Sequence, residues 1–153
     1  VGLTLASCIV IFTLFASSVM TILRELKSEY QVYTASEAAL SDQIYHATEP
    51  DAVILADSYH WNVVTPLTGR SIVTGTGTFL YYHGIDTSER EADVTLMFED
   101  PASHLDLFRQ YGVQYILVTN AERSNYEIDY TYFNANCETV AKTDAGLLYK
   151  LHP

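Results

Sequence analysis

The residues whose side chains could bind or transform a ligand are concentrated between Asp57 and Glu91. This stretch places imidazole, amide, guanidinium and carboxylate groups around glycine-containing turns, which makes a ligand-binding site the first hypothesis. The chain has only eight lysines and arginines, and a planar guanidinium is well suited to a carboxylate or phosphate. The residues that we expect to line a ligand site, some from a later segment, are His60, Asn62, Arg70, His83, Arg90, Glu91, Glu122 and Arg123.

The motifs of known catalytic and cofactor sites are incomplete in this stretch. Gly75-Thr76-Gly77 matches the opening of a dinucleotide-binding fingerprint, but Leu80 stands where a third glycine is needed. Asp57, His60 and His83 are possible metal ligands, yet the spacings of zinc motifs are absent, and histidines beside aromatics are often structural. No GXSXG nucleophile motif occurs. We therefore predict no catalytic residue, no metal and no cofactor in this chain.

Composition narrows the class of partner. A formal charge of −11 opposes binding to nucleic acid, which requires clustered lysine and arginine to displace counterions from phosphates. Cys8 and Cys137 are the two cysteines, and Cys8 lies in an apolar segment, so no disulfide framework is expected. A lipid bilayer, contacted through residues 2–23, is the partner that the apolar segment predicts.

The N-terminal segment is uncharged from Gly2 to Leu23, about the length at which a helix crosses the hydrocarbon core. A signal peptide would begin with methionine and basic residues, whereas this chain begins with Val1. A buried core helix would usually show one polar face. We predict a transmembrane helix over residues 1–24 and expect it to be the last span of a longer, multi-pass protein. Arg24, Lys27 and two neighbouring acids leave its orientation open.

The rest of the sequence predicts alternating helices and strands. Thr34 and Glu37 have the spacing of a capping box before a helix over 35–47, and Asp100-Pro101 is typical of another helix start. Strands are predicted at 52–56, 71–73, 113–119, 137–141 and 147–152, with a helix beginning at Asp86. This order indicates an α/β, Rossmann-like sandwich with a mostly parallel sheet and a C-terminal antiparallel hairpin. We assign 25–50 to a juxtamembrane linker and helix, and 51–153 to a soluble α/β domain.

These elements would position the candidate site. In an open α/β sheet the ligand crevice lies beyond the carboxyl ends of the strands. Polar residues follow three predicted strands, after Ala56, Val73 and Thr119. We therefore expect three polar clusters to converge on one edge of the sheet. The arginines could instead be surface charges or could brace long loops.

Several short motifs, taken in order, resemble a known family. They are His60-x-Asn62, Gly69-Arg70, Gly75 to Gly84, Arg90-Glu91, Tyr111-Gly112-Val113-x-Tyr115-Ile116 and Glu122-Arg123. Together they resemble the soluble C-terminal domain of bacterial multi-pass membrane proteins related to GT-C glycosyltransferases, over about residues 50 to 150. The family's Gly-Tyr-x-Gly-Trp-Leu-Trp pattern is replaced by Thr76, Thr78 and the aromatic run from Phe79 to Tyr82.

The resemblance implies a polyprenyl-phosphate-linked sugar donor, an extracytoplasmic soluble domain in the cell membrane, and a catalytic acid in a membrane portion outside this sequence. It also implies that the expected site would help to bind a sugar, a lipid phosphate or an acceptor. The chain is then expected to be an accessory, non-catalytic domain of an integral-membrane glycosyltransferase. The alternative from the residues alone is a non-enzymatic interaction or structural domain of a membrane protein. Buried and mutually bonded side chains would favour this alternative, whereas an open crevice with exposed Arg70 and Arg123 would favour a ligand.

Overall fold

The computed structural model describes residues 2–152, which fall into two compact units divided between Val32 and Tyr33. The first unit contains one helix, α1 (Gly2–Lys27), and none of its described residues is buried. This helix is long and apolar enough to cross a membrane by length and composition. Thr13, Ser18 and Thr21 return their hydroxyls to backbone carbonyls of the preceding turn, so the helix satisfies these polar groups internally.

The second unit is an α/β fold with a mixed five-stranded sheet. Its helices are α2 (Ala35–Ala47), α3 (Thr65–Thr68), α4 (Gly77–Tyr82), α5 (Ser88–Glu99), α6 (Leu105–Gln110), α7 (Asn120–Asn125) and α8 (Tyr130–Asn136). Its strands are β1 (Val53–Leu55), β2 (Ser71–Ile72), β3 (Val113–Thr119), β4 (Cys137–Thr143) and β5 (Gly146–Leu151).

The sheet has the strand order β2-β1-β3-β5-β4. β1 is central to a parallel group, since it pairs in parallel with both β2 and β3. β5 then pairs antiparallel with β3 and with β4, so the predicted C-terminal hairpin is confirmed. Parallel and antiparallel pairings are thus equally represented, and the sheet is mixed. Its parallel half brings the carboxyl ends of β1, β2 and β3 to one edge.

Two apolar cores cover the two faces of the sheet. Alternate residues of β3 point to opposite faces, as a strand requires: Ile116 and Val118 belong to one core, and Tyr115 and Leu117 belong to the other. The first core contains side chains of α5, α6 and α8, and the second contains side chains of α2 and of the segment before α3. The compact unit begins at Tyr33, so α2 is one of the helices that cover the sheet.

Local signals fixed some element boundaries correctly and others incorrectly. The capping box predicted at Thr34 is present, with reciprocal hydrogen bonds between Thr34 and Glu37 at the start of α2. The predicted start of the next helix, at Asp100-Pro101, is wrong, although the helix itself is present. Asp100 instead accepts a hydrogen bond from the Ser103 backbone N–H in a separate turn, the backbone of His104 leaves the helical region, and α6 begins at Leu105. The helix α4 was not predicted.

Candidate functional site

The carboxyl ends of β1 and β3 are joined by the buried side chain of Glu122, which is 1% exposed. One carboxylate oxygen accepts the Asp57 backbone N–H at 3.0 Å, and the other accepts the Thr119 backbone N–H at 2.8 Å and the Thr119 hydroxyl. Thr119 and Glu122 form the capping box of α7. Glu122 is therefore at the predicted edge, where its carboxylate is fully used in holding two strand ends together.

Asp57, the residue two positions after β1, organises the loop at this edge. Its buried carboxylate accepts the Tyr59 backbone N–H at 2.7 Å and the Asn125 side-chain amide at 2.6 Å. Burial and the nearby Asp57 carboxylate raise the pKa of the Tyr126 hydroxyl well above its usual value, because both disfavour the phenolate. Tyr126 is thus a neutral hydrogen-bonding group at any physiological pH.

Asn62 closes the same loop through its side chain. Its amide nitrogen donates to the Tyr59 carbonyl at 2.8 Å, and its carbonyl oxygen accepts the backbone N–H groups of Val64 and Thr65 at 3.0 Å. Such a side chain replaces the missing backbone partners at the start of a helical turn. Asn62 therefore fixes the conformation of the loop after β1.

Arg70 lies away from this edge. It precedes β2, and because β1 and β2 are parallel, a residue before β2 lies toward the amino ends of the strands. Its guanidinium, in a side chain 8% exposed, donates to the hydroxyl and carbonyl of Thr48 and to the carbonyls of Tyr45 and Thr68. The prediction that Arg70 joins the other polar residues at the carboxyl ends of the strands is therefore wrong, because Arg70 lies at the opposite edge of the sheet.

Arg90 and Glu91 lie near the end of β2. Arg90 is exposed, donates to the Val73 carbonyl at 3.1 Å, and lies over the Tyr111 ring. The Glu91 carboxylate accepts the Thr87 hydroxyl at 2.8 Å and occupies the space that a side chain at position 77 would need. A Cβ at position 77 would meet that carboxylate and the Thr87 hydroxyl, so these two side chains would have to shift to admit a larger residue there.

The remaining predicted site residues do not meet. His60 is exposed and lies edge-on between the Trp61 and Phe79 rings, at 4.8 Å from each centroid. His83 is the exposed C-terminal cap of α4. Arg123 is exposed on α7.

A cavity of about 250 Å³ opens at the edge formed by the ends of β1 and β3. Besides Asn62 and Glu122, it is lined by the exposed rings of Tyr59 and Trp61 and by the polar side chains of Glu37, Asn120 and Asp144. Within the described part of the chain, its lining contains three carboxylates and no lysine or arginine. Across residues 2–152, no group of three or more His, Cys, Asp or Glu side chains is arranged to hold a metal ion.

This lining fits some ligands and disfavours others. Exposed aromatic rings beside a few fixed polar groups are typical of small-molecule sites. The apolar face of a sugar ring can pack on such rings while its hydroxyls bond to carboxylates and amides. A phosphate placed among three carboxylates would be repelled. The cavity is therefore suited to an uncharged, hydroxyl-rich ligand, and not to the anionic ligand that was expected from the arginines in the sequence.

No protein-family model matches this chain, and no curated protein matches it significantly. Any functional statement accordingly depends on the geometry and on the residues themselves.

Sequence reasoning missed most of the cavity lining. Tyr59 and Trp61 lie in the loop after β1, and Asn120 follows β3, so the rule that ligand crevices lie beyond strand ends could have found them. Glu37 and Asp144 come from α2 and from the turn of the β4–β5 hairpin. These two are brought to the cavity by tertiary packing, and no local signal marks them.

Proposed function

We propose that this chain is a membrane-anchored accessory domain of an integral-membrane glycosyltransferase that uses a polyprenyl-phosphate sugar donor. In this proposal α1 is a transmembrane span, the α/β unit is extracytoplasmic, and the unit contributes recognition rather than catalysis. The support for the transferase class is the order of motifs that resembles GT-C-related proteins. The support for membrane anchoring is the apolar helix α1, whose described residues are all unburied.

The observation that carries the recognition role is the cavity beside β1 and β3. We treat the unit as Rossmann-like, because three parallel strands end at one edge and the cavity lies at that edge. Tyr59 and Trp61 would pack on a sugar ring, and Glu37, Asn120 and Asp144 would bond to its hydroxyls. Because the carboxylates of the cavity would repel a phosphate, the cavity would bind the sugar or the acceptor. The phosphate of the donor would be bound elsewhere in the enzyme.

Trp61 provides a direct test because it is the only tryptophan in the chain. Its fluorescence should change in a saturable manner when neutral methyl glycosides are added to the full chain in mild detergent. A short-chain polyprenyl phosphate without sugar should give no such change at the cavity. Asp144→Asn, which removes one cavity carboxylate, should weaken glycoside binding, whereas Asp106→Asn, at an exposed position on α6, should not.

Two results would contradict this recognition role. One is a Trp61 signal that no member of a panel of hexose and N-acetylhexosamine glycosides alters. The other is equal binding by the Asp144→Asn and Asp106→Asn variants.

A second candidate is a non-enzymatic structural or interaction domain. It is favoured by the internal bonding of Arg70, Asn62 and Glu122, whose polar atoms are used to hold helices and loops. Failure of the glycoside test, together with loss of stability when these residues are replaced, would favour this candidate over sugar recognition.

A further inference from the structure

The segment from Ser58 to Ile85 differs in charge from the rest of the chain. The whole sequence has 19 acidic residues, yet this segment contains none. Its one arginine, Arg70, is buried and bonded to backbone and hydroxyl groups. The exposed part of the segment therefore presents no fixed charge, whereas the rest of the α/β unit has a large excess of acidic residues.

The same segment exposes a group of large aromatic and apolar side chains. We define the aromatic surface as Trp61, Phe79, Tyr81, Tyr82 and Ile85, all exposed. Tyr81 and Tyr82 are 75% and 80% exposed, which is unusual for rings of this size. Scattered apolar side chains are normal on protein surfaces, whereas a continuous patch marks an interaction site.

Ring contacts gather these side chains into two groups, which the helix α4 connects because it contributes to both. The imidazole of His60 bridges Trp61 and Phe79, and the rings of Tyr81 and Tyr82 meet edge-to-face at 5.9 Å. The Thr76 hydroxyl donates to the Ser58 carbonyl at 2.7 Å, which holds the loop before α4 against the loop after β1. The two aromatic segments are thus fixed side by side.

The chemistry of this surface indicates what covers it. Tyrosine and tryptophan are enriched where a protein meets the headgroup region of a bilayer, because their rings are apolar at one end and polar at the other. The rings themselves carry no charge, but the carboxylates of Asp86 and Glu91 border Tyr81, Tyr82 and Ile85, so an anionic lipid surface would oppose the contact and a zwitterionic one would not.

Chain connectivity provides an independent argument for the same occupant. Only residues 28–32 separate the end of α1 from the compact unit that begins at Tyr33. A chain of that length extends over less than about 20 Å. If α1 crosses a membrane, the α/β unit is held permanently within reach of the lipid surface.

We propose that the aromatic surface docks into the interfacial region of the bilayer that anchors α1, and that it contacts neutral and zwitterionic lipid through its rings. The proposal rests on the membrane anchoring in the proposed function, and the aromatic surface shares Trp61 with the lining of the cavity. Because the rings make the contact and the carboxylates of Asp86 and Glu91 lie beside them, docking should be strongest on zwitterionic lipid and weaker as the fraction of anionic lipid rises.

Trp61 reports on this contact in the full chain. The protein would be reconstituted into phosphatidylcholine vesicles with or without bromine on the upper part of the acyl chains. Flotation of the vesicles and resistance to alkaline extraction would establish that α1 is inserted. We expect brominated lipid to reduce Trp61 emission, and the emission in unbrominated vesicles to be shifted to the blue relative to detergent.

Paired variants separate docking from anchoring. The combination Phe79→Ser, Tyr81→Ser and Tyr82→Ser should abolish quenching while the protein still floats. The matched control, Leu105→Ser with Tyr130→Ser, replaces exposed apolar side chains of α6 and α8 that lie outside the aromatic surface and should leave quenching intact. Circular dichroism would establish that both variants retain the fold, and quenching of the unsubstituted chain is informative even if the triple variant unfolds.

Each alternative result overturns the proposal in a recognisable way. Flotation without quenching refutes docking but leaves both anchoring and sugar recognition standing. Protection of Trp61 from acrylamide without quenching by brominated lipid would show that protein, such as a second copy of the chain, covers the surface. Failure of the chain to float would refute anchoring and docking together.

Discussion

Replacing Arg70 with methionine tests whether this arginine stabilises the fold or is available to a ligand. Its guanidinium donates to the carbonyls of Tyr45 and Thr48, at the C-terminal end of α2, with distances of 3.1 and 3.0 Å. It also bonds to the Thr48 hydroxyl and to the Thr68 carbonyl. A cation at this end of a helix satisfies unpaired carbonyls and opposes the negative end of the helix dipole.

The expected cost follows from these contacts. A hydrogen bond from a charged group contributes roughly 1.5–3 kcal/mol, but the four bonds share one cation, whose desolvation offsets part of the gain. Methionine would also leave the carbonyl groups of α2 without their donor. We expect Arg70→Met to lower the free energy of unfolding by about 3 kcal/mol. Arg70→Lys should have an intermediate effect, because an ammonium keeps the charge but lacks the planar fork.

Urea unfolding of the full chain in detergent, followed by Trp61 fluorescence, measures the α/β unit alone because that unit contains the only tryptophan. A loss of about 3 kcal/mol would lower the midpoint by about 2 M. Arg109→Met is the control, since Arg109 is exposed on α6 and should change stability by less than about 0.5 kcal/mol. Equal midpoints for the two variants would refute the stabilising role and return Arg70 to the list of possible ligand residues.

Two further predictions concern Glu122 and Cys137. Glu122→Gln should lower the free energy of unfolding by about 2 kcal/mol, since an amide cannot accept hydrogen bonds from all the donors of Asp57 and Thr119. The control Glu127→Gln, at an exposed position, should be near neutral in the same urea assay. Similar midpoints for the two variants would contradict the role of Glu122. Burial raises the pKa of the Cys137 thiol from 9.0 to about 11, so less thiolate is present at a given pH in the folded protein. In a Cys8→Ser variant at pH 8, alkylation of Cys137 should therefore be about 100-fold slower in the folded protein than in denaturant. Because the unfolded chain loses the thiol proton at lower pH, the free energy of unfolding should also fall as the pH rises from 9.0 to about 11. Equal alkylation rates in the two states would show that the thiol is not shielded.

The parts of the fold that the sequence predicted well are those with strong local signals. The capping box at Thr34 and Glu37 fixes the start of α2, and Gly112, with a φ of 65°, fixes the turn before β3. The long apolar run of β3 is confirmed at its predicted bounds. By contrast, α4 is a six-residue helix in an aromatic run without a helical period. The loop before it is held by the Thr76 contact with Ser58, which no local pattern encodes.

The candidate site was harder to predict because strand direction matters as much as proximity to a strand. Arg70 lies next to β2 in sequence, but it precedes the strand and so belongs to the opposite edge from Asp57. Glu122 was assigned to a ligand site although Thr119 and Glu122 have the same capping-box spacing that predicted α2 correctly. Applying that rule a second time would have assigned Glu122 its structural role.

The distribution of charge inside the fold restricts what this edge of the sheet can recognise. Arg70 is buried against carbonyl groups, and Arg90 donates to the Val73 carbonyl, so two of the three arginines expected to bind an anion already bind backbone oxygens. The cavity, in turn, is lined by carboxylates. A phosphate would have to compete with the backbone for those guanidinium groups and would meet repulsion at the cavity. Under the proposed function, this unit is therefore expected to recognise the uncharged part of donor or acceptor, and the phosphate would be bound by residues outside the cavity.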